Sequence, residues 1–549
     1  MHISRSSRLR RIGRAAAVFL PGLAFAFSIA VSAHGQATPA SKASTEGRGR
    51  ILLVLPFNNR TGQPSLEWIR EAAPEILGSR LTSAGFAPMS RADRRYALDH
   101  LGLPQGFQPS RASSLKLAET LDADSIVVGS YLTDGTGIVA EARLVDVVRL
   151  RMGDPVTARG EMKNLIAVFD SLAWKLTRQL DPTFPVAEVT FVAAGAGMRL
   201  DAFEQYIRGI TEPDQGERLR HLNESVRMSP EFSQAWMALG REDYNGQHYD
   251  EAAAAFAKVD RNDPDSLEAG FNRGLSLLFS GDYDKAEEAF AGVARVLPLA
   301  EVLNNQGVAV SRRGNDGTSL FRQAIAADPD KADYHFNLAV SLKRHGDSAG
   351  ALNELAQCLK LRSNDTEAQG LEEAWKASPG DLDLGPGAEL KPDPLERIVR
   401  SFDAQAFRQA ALMLDQVEAA GLAALPPQDR AKKLAGQAQG FLDRGLLLEA
   451  ERLYLSAVAA DGKVAEAHAG LAQVRERSGD AEAARTEARA ALGLTPSADA
   501  YLVLGRLDVA VGNMGEAKME ANEALKLAPA SRAAQDLRHQ IEAWEAQKN

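Results

Sequence analysis

Two hydrophobic patterns divide the chain. Between residues 51 and 182, short apolar runs alternate with amphipathic stretches; beyond about residue 200 the apolar positions keep helical spacing. Ile51 to Phe57 is a continuous apolar run closed by Pro56 and the polar loop Asn58 to Pro64, the pattern of a strand buried on both faces. Ser65 is expected to cap a helix carrying Leu66, Ile69, Ile76, Leu77 and Leu81, with Gly85 at its end. A short strand is predicted at Phe86 to Ser90, and helices at Ala92 to Leu101 and Ser113 to Leu121. Ile126 to Tyr131 predicts a second buried strand. The Asp134-Gly135-Thr136-Gly137 turn then leads to a hairpin partner over Ile138 to Val147. Leu165 to Leu180 places Phe169, Leu172, Ala173 and Leu176 on one helical face. Residues 51–182 therefore predict a small α/β domain.

From residue 200 a unit of about 34 residues recurs. Counting Ser233 as position 1, Trp236, Leu239, Gly240, Ala252, Phe256 and Pro264 stand at positions 4, 7, 8, 20, 24 and 32. The unit from Leu267 repeats this with Gly274, Ala286, Phe290 and Pro298. The unit from Ala300 has Gly307, Phe321 and Pro329, with a turn between its helices two residues short; the unit from Ala332 has Leu338, Ala339, Ala351, Leu355 and Cys358. Small residues at positions 8 and 20 let two helices approach closely, and large ones at 4, 7 and 24 fill the space between. A degenerate helix pair is expected before these units, through Phe203, Tyr206, Ile207, Leu219, Leu222 and Val226. Pro379 to Pro394, with Gly380, Gly385, Pro386 and Gly387, is a linker by composition. Helical periodicity resumes through Ile398, Phe402, Phe407, Leu412 and Leu414, and full units start at Ala431, Ala465 and Ala498. Ser531 to Lys548 closes as a polar capping helix.

These positions strongly resemble the tetratricopeptide signature. The resemblance implies a multidomain protein: an α/β domain followed by an all-α superhelical solenoid in two arrays, residues 200–378 and 395–549. The first domain resembles the amino-terminal domain of TolB-like proteins and their CsgG-type relatives. The likeness rests on Leu55-Pro56-Phe57 with Gly62, on Ser90-Arg91, and on Ala123-Asp124 leading into Val127 to Tyr131. It implies a periplasmic, partner-binding domain without catalytic residues. An oligomeric envelope component of the CsgG type is the alternative function it brings.

Arg5, Arg8, Arg10, Arg11 and Arg14 precede an apolar run from Ala15 to Ala33 that ends in Val31-Ser32-Ala33. This is the layout of an export signal over residues 1–33, followed by a leader over 34–50. The run could also remain as an anchor, although Pro21-Gly22 in its middle favours cleavage. The expected location is periplasmic or secreted, and the mature form is not expected to span a membrane. The net charge of −10 argues against a nucleic-acid partner. Its acidic surplus falls after residue 182, in the repeats.

Little in the chain carries chemistry. A lone cysteine, Cys358, excludes an internal disulfide and any thiolate metal cluster, and its helical pattern predicts a buried small hydrophobe. Phosphate-binding glycine loops, nucleophile elbows and paired metal histidines are missing from the sequence. No enzyme, metal or cofactor is expected; the expected partners are proteins or peptides, one of them associated with the cell envelope. In this repeat geometry, positions 2, 5, 6, 9, 12 and 13 line the concave groove. Position 6 reads Asn272, Asn305 and Asn337 in successive units. An asparagine amide both donates and accepts, so such a ladder can pair with an extended backbone, as some repeat proteins of this family do; asparagine there also serves only to cap local structure. Met237, Tyr244, Phe271, Phe279 and Phe336 either add apolar groove contacts or pack between repeats. The second array has Gly436, Gly470 and Val503 at position 6, so the two arrays are expected to differ in task.

Overall fold

The computed structural model describes residues 51–104, 110–263, 265–377, 394–401 and 420–548. The expected signal and leader, the linker up to residue 393, and the periodic stretch holding Phe402, Phe407, Leu412 and Leu414 lie outside these residues. The chain divides into two compact units. One runs from Glu212 through the first array to just beyond the 394–401 stretch; the other joins the α/β region to the second array.

The α/β region is a seven-stranded mixed sheet of order β3-β1-β4-β5-β6, with β2 also on β4 and β7 also on β5. The strands are β1 Ile51–Val54, β2 Asn58–Asn59, β3 Ala87–Pro88, β4 Ser125–Asp134, β5 Gly137–Asp146, β6 Arg151–Met152 and β7 Val156–Glu161. β1 lies parallel between β3 and β4, and β4 and β5 form a long antiparallel hairpin closed at Asp134 and Gly137. Helix Leu165–Leu180 presses Phe169, Leu172 and Leu176 onto the sheet, and Phe169 meets Phe57 edge-on with centroids 5.7 Å apart. Ser65 does not cap a helix. It sits in a single 3₁₀ turn, Pro64–Leu66, and the α-helix starts at Ile69. The hydroxyl of Tyr131 donates to the Leu66 carbonyl at 2.8 Å, tying up the turn where the cap was expected. Strands β6 and β7 had no clear sequence signal. Their residues are mostly solvent-facing, and Gly153 and Pro155 interrupt the alternation. Helix Glu188–Ala193 packs beside the second array: the Ala187 amide donates to buried Glu451 at 3.3 Å, and Arg475 pairs with the same carboxylate at 2.5 Å.

The repeats are helix pairs. In the first array they are Ser233–Asn245 with Tyr249–Phe256, Ser266–Ser280 with Tyr283–Ala294, Ala300–Arg312 with Thr318–Ala327, and Ala332–Arg344 with Ser348–Leu361. Helix Gln215–Met228 precedes them and Thr366–Ala377 follows. The signature positions do the packing. A Cβ on Gly274 would lie 2.7 Å from the Phe290 ring, and Gly240 and Gly307 stand the same way against Phe256 and Phe321. The two-residue deficit of the third unit is not a shortened turn. Residues Arg313 to Gly317 replace the first turn of its second helix, which starts only at Thr318. Cys358 is fully buried beside Phe336 and Leu355, and burial pushes its thiol up to about 11. The second array pairs Pro427–Asp443 with Leu447–Ala460, Ala465–Arg477 with Ala481–Leu494, and Ala498–Val511 with Met514–Leu527, closed by Arg532–Lys548.

One expectation fails outright. Residues 395–401, placed by periodicity at the start of the second array, are not helical. They run extended against the first array, and Glu396 and Val399 are buried there. The apolar spacing of Ile398 and its neighbours serves an extended strand whose side chains alternate between two walls.

Candidate functional site

The site is the concave face of the first array, built by the first helices of its repeats and filled by residues 394–401. Asn337 accepts from the Arg397 amide at 2.6 Å and donates to the Arg397 carbonyl at 2.8 Å. One repeat back, Asn305 accepts from the Val399 amide at 2.9 Å and donates to the Val399 carbonyl at 2.8 Å. Each side-chain amide thus pairs with one residue as a neighbouring β-strand would. The rungs fall two residues apart, the spacing at which an extended strand turns its N–H and C=O to the same edge. Asn304 locks the rungs together. It donates to Asn305 at 3.1 Å and to the Arg397 carbonyl at 3.2 Å, and accepts from Asn337 at 2.8 Å. All three amides are fully buried, where an unmade bond would be costly.

Extended geometry sends alternate side chains to opposite walls. Glu396, 2% exposed, accepts from the Ser311 hydroxyl and the Arg344 guanidinium, and Arg312 donates to its carbonyl at 3.1 Å. Ile398 packs against the apolar cluster that holds Phe271, Leu275 and Val308. On the other wall Arg397 forks onto Asp365 at 2.5 and 2.8 Å, reaches Glu367 at 2.7 Å and Asp333 at 3.2 Å, and lies 3.6 Å over the Phe336 ring. Val399 joins Leu303, Ala324 and Tyr334. The hydrogen bond from Arg397 holds the Asp365 carboxyl below its ordinary value. Burial alone would raise the Asp333 carboxyl, but bonds from Arg362 and Arg397 outweigh it and lower the group.

The expected site residues divide three ways. Asn305 and Asn337 contact the segment through their amides, and Phe336 lies under Arg397. Phe279 lies 4.8 Å from the Arg400 guanidinium and stacks on Tyr249, with Tyr244 edge-on to both. Met237 packs with Ala252 and Phe256, and Phe271 meets Phe290 edge-on within the apolar cluster on which Ile398 packs. Asn272 is the next rung toward Ser401, but among the described residues no hydrogen bond reaches its side chain. Asn304, Ser311, Arg312, Arg344, Asp333 and Asp365 were missed. Position 5 for Asn304, and positions 12 and 13 for Ser311, Arg312 and Arg344, fall in the groove set, so the signal was present. Nothing in the pattern of Leu395 to Arg400 marked it as an occupant.

Among the described residues no group of three or more histidine, cysteine, aspartate or glutamate side chains is placed to hold a metal ion, and no helix is long and apolar enough to cross a membrane. The family model described as tetratricopeptide repeat matches residues 237–301, 311–366 and 435–499. No curated protein matches the chain. Among solved structures, MamA from Desulfovibrio magneticus RS-1 is 23% identical over 32% of this chain and 98% of its own, with a TM-score of 0.28. YrrB, described as a TPR protein with an unusual peptide-binding site, is 14% identical over 37% of this chain and 99% of its own, with a TM-score of 0.28. The C-terminal domain of LpoB from Escherichia coli is 22% identical over 21% of this chain and 84% of its own, with a TM-score of 0.19.

Proposed function

We propose that this chain, which carries tetratricopeptide repeats in both arrays, is a non-enzymatic scaffold whose first groove holds extended protein segments by their backbone. One observation carries the reading: Asn337 and Asn305 each satisfy both the N–H and the C=O of a single residue in an extended strand. Backbone pairing of this kind needs no particular side chain, and it suits capture of a partner's tail or loop. The acidic repeats favour partners that are neutral or basic overall. The basic and apolar pattern of residues 1–33 supports export to the periplasm or beyond. There, the α/β domain would dock to a further envelope partner.

Selection of displayed random peptides on the full chain tests the groove, with N305A/N337A as the counter-target. Peptides that bind the chain and lose the double variant are expected; enrichment indifferent to both asparagines would overturn the reading. Fusion of residues 1–50 to a reporter that folds only outside the cytoplasm tests export, and a silent reporter would count against it.

A further inference from the structure

The groove holds more than a backbone. Its two walls present opposite charge to successive residues of the bound strand. Glu396 enters a pocket made by Ser311 and Arg344, with Arg312 closing over its carbonyl. Arg397 enters a pocket of three carboxylates, Asp333, Asp365 and Glu367, floored by the Phe336 ring. Beyond them the walls turn apolar. Ile398 meets the cluster of Phe271, Leu275 and Val308, and Val399 meets Leu303, Ala324 and Tyr334. Exchanging the two charges would set a carboxylate against three carboxylates and a guanidinium against two. Like-charge juxtaposition of that kind discriminates between ligands.

We infer that this groove selects an extended protein segment carrying glutamate, arginine, an aliphatic residue and valine in succession, and that residues 396–399 are a built-in competitor which such a partner must displace. The inference rests on the reading of the groove as a segment-binding site and adds to it the chemistry of the ligand and its control. The competitor belongs to the same compact unit as the groove and is tethered to it through residues 378–393. A tethered ligand acts at an effective concentration in the millimolar range, so the chain's own segment lowers the apparent affinity for a free one. A partner gains access by bringing the same chemistry at high local concentration.

The test uses the full chain and a labelled, end-blocked hexapeptide, Leu-Glu-Arg-Ile-Val-Arg, read by fluorescence anisotropy. The variant E396A/R397A weakens the resident segment while leaving every groove residue in place. R397E does the same by charge reversal, and circular dichroism checks that both keep their helices. The peptide is expected to bind both variants roughly tenfold or more tightly than the unaltered chain. Adding N305A/N337A should abolish that binding, and the reversed peptide Leu-Arg-Glu-Ile-Val-Arg should not bind. Equal affinity for the unaltered chain and both variants would overturn the competitor. Equal, asparagine-dependent binding of both peptides would overturn the selectivity while leaving backbone capture standing. Failure of both peptides to bind the folded variants would bring down both readings.

Discussion

The two arrays share one scaffold and differ in what stands on it. In both, small residues at positions 8 and 20 let paired helices touch: Ala286 in the first and Ala484 in the second are each fully buried. Both also keep a histidine at position 4 bonded to a glutamate on the second helix. His335 meets Glu354 at 2.7 Å, and His468 meets Glu487 at 2.6 Å. The concave positions part company. The first array sets buried asparagines there, with a strand laid across them. The second has Gly436, Gly470 and Val503 at position 6, and a Cβ on Gly470 would overlap the Tyr454 ring. Its groove positions 9 and 12 are spent on an ion pair between its own helices, Arg506 to Glu476 at 2.5 Å. Scaffold positions thus specify that a solenoid forms. Groove positions decide whether it can hold a strand.

The strongest way to break this contrast is to remove the rungs. N305A/N337A deletes four hydrogen bonds to the segment. At about 0.5–1.5 kcal/mol each, the local opening of residues 396–399 should become easier by roughly 2–6 kcal/mol. Hydrogen exchange at the Arg397 and Val399 amides should therefore accelerate by about thirtyfold or more. Unchanged exchange would mean that the charged pockets alone hold the strand.

Overpacking should treat the arrays alike. Ala286→Leu and Ala484→Leu each force a larger side chain into a fully buried helix contact. Each is expected to cost about 1–3 kcal/mol in thermal unfolding. A loss confined to one array would show that the shared signature hides unequal packing.

The smallest effect is also a shared one. The bonds from Glu354 and Glu487 raise the His335 and His468 pKa values above the ordinary histidine value, against burial, which would lower them. A raised folded pKa stabilises below the unfolded value of about 6.5, and the gain is lost as pH rises through the folded value. Melting temperature should therefore fall slightly from pH 6 to pH 8. Glu354→Gln and Glu487→Gln should each remove part of that slope, and a slope that survives both would place its source elsewhere.

Much of the fold was legible because helix pairing imposes a strict spacing. Gly240, Gly274 and Gly307 announce their helix pairs, since nothing larger fits beside Phe256, Phe290 and Phe321. The hairpin at Asp134 to Gly137 and the helix at Leu165–Leu180 were equally plain from turn chemistry and amphipathic spacing. The groove was partly legible, because Asn305 and Asn337 sit at a position defined by that same repeat. Strands β6 and β7 were not, because exposed strands carry no apolar alternation.

The sequence by itself determined the repeats, their register and the amides that face the groove, since those follow from contacts between residues close in the chain. Only the tertiary structure decided which groups share a pocket. Phe271 and Phe336 hold the same repeat position and are both fully buried, yet Phe271 packs on Phe290 while Phe336 lies under Arg397. Asp333, Asp365 and Glu367 became one site only when folding brought Arg397 among them. Above all, the occupant of the groove was decided there. Glu396 to Val399 has the apolar spacing of a short helix, yet its backbone groups find partners on Asn305 and Asn337, over sixty residues and more of chain. Local periodicity cannot register a hydrogen bond made at that distance. The fold, by closing the loop, can.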